Sequence, residues 1–232
     1  MQTNHFNWSI YAQMPVVGIV RNMHISDFKA ILPSFLAAGF NTIEVTLNTR
    51  GAQEMITYAA SNYQGRLNVG AGTVCSVKDV ELALTAGASF LVTPIVNKKV
   101  IKLVAKLQVP IFVGALTPTE VYKAWQYGAT MVKIFPAGTL GAKYIKELKA
   151  PLHHIKLMPT GGVDIGTVSH FIQAGASALG IGSPLFLQAY INEGLQLDKL
   201  SEHFELFANT IKEAYRAHPA QRFTNQTSTD ED

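Results

Sequence analysis

Short runs rich in Val, Ile and Leu recur along the chain, each followed by a Gly, Pro or polar break and then by a stretch with helical spacing. Eight such runs begin near Val16 (VVGIVR), Thr42 (TIEVTL), Leu67 (LNVGAG), Phe90 (FLVTP), Pro110 (PIFVG), Met131 (MVKIFP), Ile155 (IKLMPTGG) and Ala178 (ALGIG), at intervals of 20 to 26 residues. So even a beat marks a repeat, and each interval has room for a strand, a helix and two short loops. The stretches between the runs read as helices. Ser26 is predicted to cap one running through Ala38, with Ile31, Phe35 and Leu36 on one side; Ser76 opens VKDVELALTA; Thr117-Pro118-Thr119-Glu120 places a cap, a first-turn proline and an acid in order. Gly39, Gly87, Gly128 and Gly175 stand where helices stop before the second, fourth, sixth and eighth strands, where a left-handed residue ends a helix.

Strands alternating with helices build either an open doubly wound sheet or a closed (β/α)8 TIM barrel. The open sheet calls for a Gly-rich fingerprint after its first strand, and GIVRNM has none. Even spacing also favours closure, so the expected fold class is α/β, a single-domain barrel over residues 1–218. His5 to Gln13 is expected to form a helix covering the barrel floor. A last helix, with Leu200, Phe204, Phe207 and Ile211 at helical spacing, should reach about His218, and 219–232 reads as a frayed tail.

Composition narrows the function classes. Hydrophobic residues are 48% of the chain and charged residues 15%, enough apolar surface for a core. The 19 Lys and Arg against 16 Asp and Glu are spread out, which argues against nucleic acid as a partner. Apolar stretches such as Ala178 to Ile191 are broken by Gly, Ser and Pro before the ~18–20 residues that a bilayer span needs, so no membrane partner is expected. The first residues lack the pattern of a signal peptide and Cys75 is the single cysteine, which makes the cytoplasm the expected location. Seven scattered His lack the spacing of a ligand set, so neither a metal nor a cofactor is expected. His153 and His154 read as surface residues, Cys75 as a packed thiol, and Trp8 and Trp125 as packing.

In a barrel the reacting groups belong at the C-terminal ends of the strands. Glu44 inside TIEVTL and Lys133 inside MVKIFP are charges in otherwise apolar strands, costly unless paired or used. An amine attacks a carbonyl only when neutral, and an apolar site near a second cation favours that form and permits imine formation with a ketone. Two blander uses of Lys133 stay open: an ammonium reaching solvent, or an ion pair with Glu44. Glu44 gains interest beside it because imine chemistry needs a proton carrier. MPTGGV and GIGSPL end the seventh and eighth strands with amides free of bulky side chains, where barrels often hold phosphate. A tight turn is the alternative for either Gly motif taken alone.

Taken in order, GIVR, IEVTLNT, VGAGTV, TPIVN, LTPTEV, VKIFPA, PTGGV and GIGSPL resemble the pyruvate-dependent class I aldolases that cleave 2-keto-3-deoxy-6-phosphogluconate and 4-hydroxy-2-oxoglutarate. The resemblance spans about Val16 to Phe186. It implies that Lys133 forms an imine with pyruvate or the keto acid and that Glu44 shuttles protons. It further implies that Thr73 and Thr160 hold the carboxylate and nearby hydroxyls, that Pro94 and Phe135 wall the pyruvyl group, and that Gly161, Gly162, Gly182 and Ser183 bind the distal phosphate. The small-molecule partners would be a phosphorylated keto acid and pyruvate, and the assembly a homotrimer.

Two positions depart from that pattern. Many such aldolases carry Arg where this chain has Asn48, those acting on the galactonate isomer often carry Asn, and Val113-Gly114 replaces the usual Pro-Gly. With that arginine missing, Arg21 at the end of the neighbouring first strand is expected to hold the carboxylate or an adjacent oxygen, leaving Asn48 to read a sugar hydroxyl. Cleavage of the gluconate isomer to pyruvate and glyceraldehyde 3-phosphate is the leading expectation. The alternatives are the galactonate isomer by the same chemistry, a phosphate-binding isomerase or synthase using Lys133 and Glu44 as acid and base, and a non-catalytic sugar-phosphate sensor.

Overall fold

The computed structural model describes residues 5–191, 194–221 and 223. Eight parallel strands are present: β1 Val16–Val20, β2 Thr42–Thr46, β3 Asn68–Gly72, β4 Phe90–Thr93, β5 Ile111–Ala115, β6 Met131–Ile134, β7 Leu157–Pro159 and β8 Leu179–Ile181. Each expected run is a strand, and the widest difference in starting point is Ile155 against Leu157. Because β1 pairs with both β2 and β8, the sheet curls into the expected (β/α)8 barrel. Between β7 and β8 a single bridge, Thr160 with Gly180, completes the ring.

One helix follows each strand: α2 Ile25–Ala37, α3 Ala52–Asn62, α4 Val77–Thr85, α5 Lys98–Lys106, α6 Pro118–Gln126, α7 Gly141–Lys149, α8 Val168–Gln173 and α9 Leu197–Ala217, with α1 Trp8–Gln13 ahead of β1. Two of the expected caps form reciprocal boxes. Ser76 Oγ accepts from Asp79 N while Asp79 Oδ2 accepts from Ser76 N at 2.8 Å, and Thr117 and Glu120 do the same. Ser26 is a correction: the chain turns earlier, at Asn22 (φ 53°), so α2 begins at Ile25 after His24 and Ser26 already lies in its first turn. The glycines expected to end helices do so, with φ of 98° at Gly39, 96° at Gly87, 107° at Gly128 and 101° at Gly175.

Inward positions alternate along each strand. Val17, Ile19, Phe90, Val92, Phe112, Met131, Met158 and Ala178 fill the barrel, and Phe6, Tyr11 and Phe223 close it from below. The floor helix is shorter than expected, beginning at Trp8 after its Asn7 cap. Asn7 is fastened to β3 by a two-way backbone-to-amide pair with Asn68, N–H to Oδ1 at 2.7 Å and Nδ2 to carbonyl at 3.1 Å. Pro219–Gln221 form a 3-10 turn, and Phe223 is buried with its ring stacked on Trp8. The rest of the expected tail lies outside the described residues. Toward the upper ends of the strands the inward residues shrink to Gly72, Gly114 and Gly180, and the interior opens there. Among the described residues no helix is long and apolar enough to cross a membrane.

Candidate active site

Four strands apart in the ring, β2 and β6 face each other across the barrel, and each carries one charge inward. Lys133 Nζ stands 4.0 Å from Glu44 Oε2, with the two side chains 7% and 1% exposed. Neither Glu44 oxygen has a hydrogen-bond partner among the described residues. Burial pushes the Glu44 carboxyl above the usual carboxylate range, and the charges of Lys133 and then Arg21 pull back against that rise. Such a carboxyl can hold a proton that an exposed one would have lost, and it can pass that proton to a group beside the lysine. Lys133 Nζ also lies 5.5 Å from the centre of the Phe135 ring.

Above the pair is a cavity of about 230 Å³. Lys133 and Thr160, both buried, line it with the exposed ring of Phe135, Arg21 enters from the end of β1, and Gly161, Gly162, Gly182 and Ser183 form the side belonging to β7 and β8. Glu44 is not part of the wall and meets the cavity through Lys133. Gly161 and Gly162 both take left-handed backbone, with φ of 81° and 79°. A Cβ on Gly162 would overlap Gly138 Cα, where the loops after β6 and β7 are pinned by the bond from Gly138 N to Gly161 O at 2.6 Å. Thr167 Oγ1 donates to Gly162 O at 3.1 Å and fixes the loop from its other side. No hydrogen bond among the described residues takes up the amides of Gly162 or Ser183. Free amides gathered on one wall form a nest suited to an anion.

Besides Glu44, three expected residues lie outside that cavity. Asn48 is exposed in the turn after β2, in a loop tied to that of Arg21 by Asn22 N donating to Thr49 Oγ1 at 3.1 Å. Thr73, half-buried at the end of β3, has a φ of 61°, a left-handed conformation rare for a branched residue. Pro94 is half-buried against Gly114, whose missing side chain makes room for the Pro94 backbone. Cys75 is half-buried with its thiol pushed up by burial and by Asp79, and His153 and His154 are exposed.

The sequence reading missed Gln188, which begins a 3-10 turn and lines the cavity. Also missed was the part played by glycine inside the strands: a Cβ on Gly180 would overlap Thr160 Oγ1. Alternation along ALGIG, which turns Gly180 inward, is the signal that could have found it.

The chain matches the family model described as KDPG and KHG aldolase over residues 8–201. It is 29% identical over 203 residues to the 2-dehydro-3-deoxy-6-phosphogalactonate aldolase of Escherichia coli, covering 87% of this chain and 97% of that one. To the 2-dehydro-3-deoxy-phosphogluconate aldolase of Pseudomonas aeruginosa it is 30% identical over 200 residues, covering 84% and 89%. A solved structure titled native KDPGal superposes with a TM-score of 0.82 at 28% identity, over 88% of this chain and 97% of that one. With the family matched over most of its length and the fold of a solved relative reproduced, the chain belongs to the KDPG and KHG aldolase family, whose members are carbon–carbon lyases.

Proposed function

We propose that the chain is a class I aldolase that splits a six-carbon 2-keto-3-deoxy-6-phospho sugar acid into pyruvate and glyceraldehyde 3-phosphate through an imine on Lys133. The observation that carries this is the buried lysine 4.0 Å from a carboxyl whose pKa burial raises, at the base of a cavity with free amides on one wall. Neutral Lys133 attacks the C2 ketone, and protonated Glu44 gives its proton to the carbinolamine hydroxyl, so that water leaves and an iminium remains beside the Glu44 carboxylate. Glu44 as carboxylate, directly or through water, takes the proton of the C4 hydroxyl. The C3–C4 bond then breaks, its electron pair neutralises the iminium as an enamine, and the aldehyde leaves. Glu44, now protonated, returns a proton to C3, and water hydrolyses the imine to pyruvate and free lysine.

Gly161, Gly162, Gly182 and Ser183 hold the phosphate in this reading, with remote binding energy orienting the reacting end. Phe135 walls the pyruvyl group, while Thr160 and Arg21 supply partners for the carboxylate and adjacent oxygens. Thr73 and Pro94 close the mouth on the side of β3 and β4. The gluconate isomer is the leading substrate; the neutral Asn48 in place of a cation favours the galactonate isomer as a second reading. A coupled assay of pyruvate release from both isomers, run beside borohydride trapping with pyruvate, tests it. Pyruvate from at least one isomer and an adduct on Lys133 are expected; neither product nor adduct overturns the reading. The expected homotrimer belongs to the same proposal and is measured by sedimentation equilibrium.

A further inference from the structure

Glu44 leaves β2 opposite Gly70 of β3, and its side chain runs forward along the strand direction over Gly72, the next inward position. A Cβ placed on Gly72 would overlap Glu44 Oε1 and Cδ and stand 2.7 Å from its Cγ. Gly72 does not have the positive φ that marks other glycines of the chain, so its backbone suits any residue. What excludes a side chain there is the carboxyl of Glu44. Nor is there slack on the other side: Glu44 is fully buried, makes no hydrogen bond to the described residues, and is held only by packing and by Lys133 at 4.0 Å. With no hydrogen bond to aim it, the carboxyl takes its direction from the space that surrounds it.

We propose that Gly72 is a positioning residue for the aldol step: the absence of its side chain is what lets the Glu44 carboxyl lie within reach of Lys133 and of the bond that breaks there. The inference rests on the proposed role of Glu44. A methyl group at position 72 would displace the carboxyl by an ångström or so, and misplacement of a catalytic group by about 1 Å can cost about 10²-fold in rate. The phosphate side of the cavity, on β7 and β8, lies away from β3 in the ring, so substrate binding should change little.

The test is a cycle of Gly72→Ala, Glu44→Ala and the double variant, with turnover, KM and thermal melting measured for each. Gly72→Ala is expected to lose about 10²-fold in kcat with KM within about threefold of wild type, the pattern of an interaction made only in the transition state. In the Glu44→Ala background the same substitution meets no carboxyl, so it should cost less than about twofold in kcat and leave the melting temperature of Glu44→Ala unchanged. Should Gly72→Ala alone fail to fold, the double variant is expected to fold. Full turnover by Gly72→Ala, equal losses in both backgrounds, or a double variant as unstable as the single one would overturn the proposal. Full turnover by Glu44→Ala would instead remove Glu44 from the chemistry, an outcome distinct from these.

Discussion

A carboxyl group that burial holds above its ordinary range of about 4.5 stays protonated in the native protein at pH values where the unfolded chain has already released that proton. The sign follows directly. Glu44 contributes stability that is fully present below the unfolded value and is lost as pH rises through the raised native one. Glu44→Gln keeps the size of the side chain and has no such proton, so its melting temperature relative to wild type should climb as pH rises above about 4.5. Melts of both proteins across pH 4 to 8 measure this, and a constant difference would contradict a raised native value. At Lys133 the expected outcome is chemical. Lys133→Arg keeps a cation in the strand but cannot form an imine, so trapping with pyruvate and borohydride should label wild type at Lys133 alone and leave the variant unlabelled. An adduct mapped to Lys156, whose ammonium burial on the floor side disfavours, would move the chemistry elsewhere.

Among the elements, the loop after β7 has little freedom to change. Gly162→Ala demands both a left-handed alanine and space occupied by Gly138, so the amides on that wall would be re-aimed. Its expected signature is selective: a drop of about 10-fold or more in kcat/KM for the phosphorylated substrate and a smaller one for the substrate lacking phosphate, read in the same pyruvate assay. An equal drop for both would detach the loop from phosphate. Strands and most helix ends were legible beforehand because local chemistry decides them: apolar runs, the boxes at Ser76 and Thr117, the glycines that end helices. Ser26 misled because a cap depends on where the preceding loop turns, and that turn is made by Asn22, a residue type that tolerates the left-handed conformation without requiring it. Within the site, Lys133 and Glu44 stood out as charges in apolar strands. Gly72 and Gly180 did not, since their meaning lies in what a neighbouring strand puts beside them, and that needs the register between strands.

Across the whole molecule the first and last described segments meet under the barrel, where Phe223 packs beside Trp8, Tyr11 and the Lys156 ammonium. Phe223→Ala should therefore cost about 2 kcal/mol of stability by denaturant titration while leaving kcat and KM at 25 °C unchanged, because floor and mouth are separated by the packed interior. Altered turnover at full occupancy of the folded state would mean that the floor communicates with the site. The opposite end of the barrel carries the more far-reaching consequence. Seven neighbouring pairs of strands are laced by regular ladders, whereas among the described residues the β7–β8 seam has the bridge at Thr160 and, lower down, the bond from Ser177 N to Leu157 O at 2.8 Å. The loops that continue those two strands are the ones proposed to grasp phosphate. A phosphate gripped from both would act as a rivet in the hoop at its one thin place, so that the wall tightens as substrate arrives and slackens as the triose phosphate departs. Inorganic phosphate should accordingly slow amide hydrogen exchange at 160–162 and 180–183 more than in β3 and β4, and uniform slowing or none would leave the seam independent of its ligand.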